Sequence, residues 1–113
     1  YDSCPEDLAP AFVAAYDSGR ALFVREQRVR DADAALYSKR LEIARLEDRI
    51  ARGAFQVISE TATPEERTQG VLDTKQAAER IGRLKAEIAA LEKERARYAQ
   101  ELDAYRATVA DVR

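Results

Sequence analysis

The sequence predicts an all-α fold: a long antiparallel coiled-coil helical hairpin with its turn near residues 60–64. Three observations predict it. Thr74, Ile81, Ile88, Arg95, Leu102 and Val109 recur every seven residues, and Ala77, Leu84, Leu91, Tyr98, Tyr105 and Val112 follow three places later. That is a heptad seam with one charged break, the pattern of a helix gripping another helix. A second series, Leu22, Val29, Leu36, Ile43, Ile50 and Val57, supplies a partner seam. Between the two lies Glu60-Thr61-Ala62-Thr63-Pro64-Glu65-Glu66, which carries the chemistry of a helix start.

Taken in order, residues 1–9 read as an N-terminal loop and short turn. Pro5 suits a first helical position, and Glu6 with Asp7 suits the positive end of a helix dipole. Pro10 would break a helix interior, so the first helix is expected over about 10–60. The other inner row of this seam is Ser18, Arg25, Ala32, Lys39, Leu46, Gly53 and Glu60, which makes the seam only half as apolar as the second. Thr63 is a good N-cap, Pro64 a good first residue, and Glu66 stands at capping-box spacing. The second helix is expected over about 64–112. Gly70, followed by Asp73 with Gln76, marks a place where it could kink.

The turn and the seams test each other. In an antiparallel pair, facing residue numbers add to a constant, and a pivot between Thr63 and Pro64 makes that constant 127. It sets Ile50 against Ala77, Leu46 against Ile81, Ile43 against Leu84, Leu36 against Leu91, Val29 against Tyr98 and Leu22 against Tyr105. At the tip Glu60 meets Arg67, Val57 meets Gly70 and Gly53 meets Thr74. Arg95 against Ala32 and Lys39 against Ile88 would lay their stems along the seam with the charge in water. On one flank Glu26 meets Arg106, Arg40 meets Glu92 and Glu47 meets Lys85. On the other Arg28 meets Glu101, but Glu42 falls near Glu87 and Arg49 near Arg80. The runner-up architecture is one nearly continuous helix pairing with a second copy in a domain-swapped dimer.

Composition narrows the chemistry. The 113 residues hold no His, no Met, no Trp and one Cys. The commonest general base and metal ligand are thus missing, and one thiol cannot build a Cys-rich metal site. The four glycines are scattered, so no phosphate loop is present. No catalysis, no cofactor and no metal are expected. The formal net charge is -2, and Arg25, Arg28 and Arg30 interleave with Glu26, Asp31 and Asp33, so no nucleic-acid partner is expected. The apolar runs are too short to span a membrane.

Two faces are left as candidate contact surfaces. Helix 1 carries an apolar stripe off its seam: Val13, Tyr16, Phe23, Tyr37 and Leu41, with Ala34 and Ala44 between. Helix 2 has an outer face of small residues: Gly82, Ala86, Ala89, Ala90, Ala96, Ala104 and Ala107. Long Ala-rich helices are simply good helices, but a stripe and a small-residue face also suit a homodimer or larger bundle. The tip residues Glu60, Thr63, Pro64 and Arg67 are a third candidate. Cys4, beside Pro5 and outside the seams, is either an inert thiol or half of a disulfide to another segment or copy.

Tyr1-Asp2-Ser3-Cys4-Pro5, then Phe12-Val13-Ala14-Ala15-Tyr16-Asp17-Ser18-Gly19-Arg20, then Glu26-Gln27 and a charged helical hairpin, form a recognisable series. It resembles the C-terminal half of a family of uncharacterised bacterial envelope lipoproteins, a domain of unknown function. In those proteins a lipobox signal peptide and a cysteine-containing module precede this segment. The resemblance implies a location in the periplasm or at the outer membrane, a Cys4 partner upstream of residue 1, and membrane contact only through an upstream lipid anchor. The functional expectation is a non-catalytic spacer or protein-interaction module, and the alternative is a holdase-like or regulatory module working through the helix 1 stripe.

Overall fold

The computed structural model describes residues 8–111, with side chains from Phe12 to Ala110. Two helices account for nearly all of it: α1, Leu8–Ile58, and α2, Pro64–Asp111. They pack against each other antiparallel as an all-α helical hairpin within one chain, and no strand occurs among the described residues.

Each boundary has a local cause. Pro10 is the third residue of α1, not its start. The first four N–H groups of a helix have no acceptor in the helix, so a proline there forfeits nothing. α1 ends without a left-handed glycine cap, since no positive φ occurs among the described residues. Instead Ser59 N–H donates to the Phe55 carbonyl at 3.0 Å, and the Ser59 carbonyl accepts Ala62 N–H at 3.3 Å and the Arg67 guanidinium at 3.2 Å. The tip residue Arg67 therefore caps α1 from the first turn of α2, a cation at the negative end of a helix dipole. α2 begins as its chemistry requires: Glu66 N–H donates to Thr63 Oγ1 at 3.1 Å, and Pro64 occupies the first position. Gly70, where α2 could kink, lies within the continuous helix Pro64–Asp111.

The contacts fall into two compact units. One comprises Ala34–Glu92; the described part of the other comprises residues 8–33 and 93–111. In both, cross-helix partners keep a near-constant total, from 122 for Arg80 with Glu42 to 132 for Arg106 with Glu26. The range brackets 127, so neither unit contains a register slip.

In the 34–92 unit, Leu36, Ala77 and Leu84 are buried, and Leu84 is 0% exposed. The expected Ile43–Leu84 layer is bracketed by Arg80–Glu42 at 3.0 Å and Lys39–Glu87 at 2.9 Å. Nearer the turn the helices approach backbone to backbone. A Cβ on Gly53 would lie 2.6 Å from Thr74 Oγ1 and 3.0 Å from the Gly70 carbonyl; one on Gly70 would lie 2.9 Å from the Gly53 carbonyl and 3.2 Å from Val57 Cγ2. These are the Gly53–Thr74 and Val57–Gly70 neighbours that the register requires.

The like-charge conflicts anticipated here do not arise. Glu42 does not face Glu87: it takes Arg80, and Glu87 takes Lys39. Arg49 does not face Arg80: it reaches Asp73 at 3.3 Å. Arg80–Glu42 and Arg49–Asp73 pair diagonally, a turn off the level position; Arg40–Glu92, at 2.7 Å, takes the opposite diagonal, and Lys39–Glu87 stays level.

In the other unit Ala32 and Leu102 are the buried residues. Its seam is filled by rings and guanidinium groups. Arg25 stacks on Tyr105 at 4.3 Å, and Arg28 on Tyr98 at 5.9 Å, rather than reaching Glu101, which lies 4.0 Å from Arg97. Tyr105 donates its hydroxyl to the Ser18 carbonyl at 3.0 Å. Arg95, expected to end in water, pairs with Asp33 at 2.9 Å. Arg106–Glu26, at 3.2 Å, forms as the register predicts.

Candidate interaction surfaces

A two-helix hairpin buries one stripe of each helix and leaves the rest of both cylinders to solvent. What distinguishes a candidate surface is the apolar material left outside that stripe. In the 34–92 unit the predicted Tyr37 and Leu41 are exposed on α1, Tyr37 by 70%. Two residues the sequence reading did not single out join them: Phe55, 69% exposed, and Ile58, 77% exposed. Their signal was available. Ile58 lies three heptads beyond Tyr37, and Phe55 two heptads beyond Leu41, so one helical arithmetic places all four on the outer side of α1. Ala44 and Ala51, also exposed, fill the row between. On α2 of the same unit Val71 and Leu72 are exposed as well.

In the other unit the predicted Val13, Tyr16 and Phe23 are exposed on α1, together with Phe12 and Val24. Two shallow grooves adjoin them. One is lined by Leu22, Arg106, Val109 and Ala110, the other by Glu26, Val29, Arg30, Leu102 and Arg106. The small-residue face of α2 (Gly82, Ala86, Ala89, Ala90, Ala96, Ala104, Ala107) is exposed throughout.

At the tip, Glu60, Thr63, Pro64 and Arg67 are exposed. Two of the four are accounted for by capping: Thr63 holds the start of α2 and Arg67 the end of α1. Glu60, Glu65 and Glu66 leave an acidic rim around the turn. Cys4 lies outside the described residues.

The electrostatics are those of a paired, solvated surface. The Lys39 ammonium, hydrogen-bonded to Glu87, holds that carboxyl below its ordinary value. Glu42 raises Arg80, and Asp33 raises Arg95, each through a side-chain hydrogen bond and charge. Tyr98 donates to Glu94 at 2.6 Å, and the carboxylate accepting its proton raises the phenol. Among the described residues no three His, Cys, Asp or Glu side chains stand close enough to hold a metal ion, and no helix is long and apolar enough to cross a membrane. No family model, no curated protein and no solved structure matches the chain.

Proposed function

We propose that this chain is a non-catalytic spacer or protein-interaction module of the bacterial cell envelope, part of a lipoprotein. The observation that carries the interaction reading is the row Tyr37, Leu41, Phe55 and Ile58. Four large apolar side chains stay in water on one side of α1, beside a surface on which Lys39, Arg40 and Glu42 are paired with Glu87, Glu92 and Arg80. A solvent-facing helix gains nothing from such residues unless something covers them. The envelope assignment rests on the Cys4-Pro5 and Tyr16-to-Arg20 resemblance, and the absence of His and of paired thiols supports a role without catalysis. The test is crosslinking in envelope fractions with wild type, a tip-deleted chain and Tyr37→Ala with Leu41→Ala. The stripe variant is expected to lose its adducts while keeping its helicity. Adducts unchanged by the stripe variant would refute the assignment of this surface.

The second reading, a holdase-like or regulatory module, is favoured by the same exposed rings, which suit any unfolded apolar segment. It predicts that the chain suppresses aggregation of a heat-unfolding enzyme and that the stripe variant does not.

A further inference from the structure

We propose that the α1 face built by Val13, Tyr16, Arg20 and Phe23 joins two copies of this chain, antiparallel about a two-fold axis near Gly19. The inference goes beyond the preceding reading and depends neither on the compartment nor on any other partner.

Val13 and Arg20 stand seven apart, and Tyr16 and Phe23 follow three places after each. This is the spacing of the intramolecular seam repeated on the outer side of the helix, a second seam that no other described residue covers. Val13, Tyr16 and Phe23 are more than half exposed, and Phe12 on the same side is 74% exposed. At 150–250 Å² per aromatic side chain, the three rings alone leave about 300–400 Å² in water. That is already the size of the largest patch on an ordinary monomer.

Charge identifies the occupant. Arg20 interrupts the apolar row, and Asp17 stands on its rim; both are exposed, and neither forms a salt bridge among the described residues. An apolar helix from another protein would cover Arg20 and offer it nothing beyond Asp17 of its own helix, which is costly. A parallel copy would set Arg20 against Arg20. An antiparallel copy in heptad register sets Val13 against Phe23 of the second copy and Tyr16 against the second copy's Arg20, which also comes within diagonal reach of Asp17. The pairing occurs twice by symmetry. Both contacts have precedents in the molecule: guanidinium on tyrosine at Arg25–Tyr105, and a diagonal ion pair at Arg80–Glu42.

The backbone accommodates the approach. The register puts the axis at Ser18, so the two Gly19 residues flank it one residue away on the same side of the seam, and a Cβ there would have nothing within 4 Å in the single chain. The same flank brings Phe12 of the second copy alongside Glu26, at the rim of the shallow groove lined by Val29, Arg30, Leu102 and Arg106.

Mass by light scattering and sedimentation on the whole chain tests this, with helicity followed in parallel. A dimer at micromolar concentration is expected. Arg20→Glu and Asp17→Arg should each weaken association about tenfold or more, the effect of about 1.4 kcal/mol. Asp17→Arg with Arg20→Asp, which swaps both signs, should recover the ion pair's share and associate more tightly than either single reversal. Gly19→Cys in a Cys4→Ser background should form a disulfide-linked dimer on oxidation. The proposal is overturned by a monomer at all concentrations, by a dimer indifferent to either charge reversal, or by a swap that associates no more tightly than the single reversals. A persistent dimer in which Gly19→Cys does not crosslink, or one dissociated instead by Tyr37→Ala with Leu41→Ala, would also overturn it.

Discussion

The two units solve the same packing problem by opposite means. In residues 34–92 the seam narrows toward the turn until Gly53 and Gly70 touch backbone to backbone, and Ala77 lies buried above them. In residues 8–33 with 93–111, Arg25 lies over Tyr105 at a seam position where an aliphatic residue would ordinarily stand, and Arg28 reaches over Tyr98 from the flank. The first unit gains its stability from closeness, which tolerates no added atom. The second gains it from large, adaptable side chains with polar ends, which tolerate change but depend on partners. One heptad register thus supports two kinds of interior.

The largest break in this comparison is expected at Leu84, the one side chain with no exposure. Leu84→Ala should cost about 2–5 kcal/mol in denaturant unfolding, as for other buried leucines. The glycines come next. Alanine ordinarily stabilises a helix by about 1 kcal/mol over glycine. Gly70→Ala should nevertheless destabilise by about 1–3 kcal/mol, because its Cβ would press on the Gly53 carbonyl, a backbone atom that cannot step aside. Gly82→Ala is the control of opposite sign, with nothing within 4 Å of the new methyl and a gain of up to about 1 kcal/mol. If both alanines stabilise, the close approach at the tip is not what the packing rests on.

In the other unit, Tyr105→Phe should cost only about 0.5–1 kcal/mol, the hydroxyl's bond to the Ser18 carbonyl, because the ring under Arg25 remains. Tyr105→Ala should cost clearly more, since it removes ring and stack together. Equal losses would show that the stack contributes nothing.

The smallest effect is one of pH. Glu87 is held below its ordinary value of 4.5 by Lys39, so its contribution is fully present above that pH and fades as the pH falls through the lowered value. Lys39→Ala should therefore lower stability slightly at neutral pH, where the pair contributes, and change little at the acid end, which flattens the acid side of the stability profile. A profile unchanged by that substitution would remove the pair from the account.

Much of this was legible before folding. Thr63, Pro64 and Glu66 announce the corner through chemistry that acts within one turn of helix, and the corner then dictates every facing pair. Gly53 and Gly70, set against Thr74 and Val57 by that arithmetic, occupy those places. The charges were legible only in part. Glu26–Arg106 and Arg40–Glu92 are the flank pairs that the heptads name, whereas Glu42 and Arg49 take partners a turn away from their like-charged neighbours, which depends on side-chain length and the distance between helices. Phe55 and Ile58 were missed although they continue the Tyr37 and Leu41 rows, because attention to the turn hides a stripe that runs into it.

By itself the sequence determined the hairpin, its corner and its register, since periodicity and capping are local and repeat until they leave one consistent pairing. Only the tertiary structure decided which glycines are contacts and which are vacancies. Gly53 and Gly82 are both mid-helix glycines, yet one supports a neighbouring backbone and the other faces water. That difference arises from interhelical distance, a property no single helix possesses.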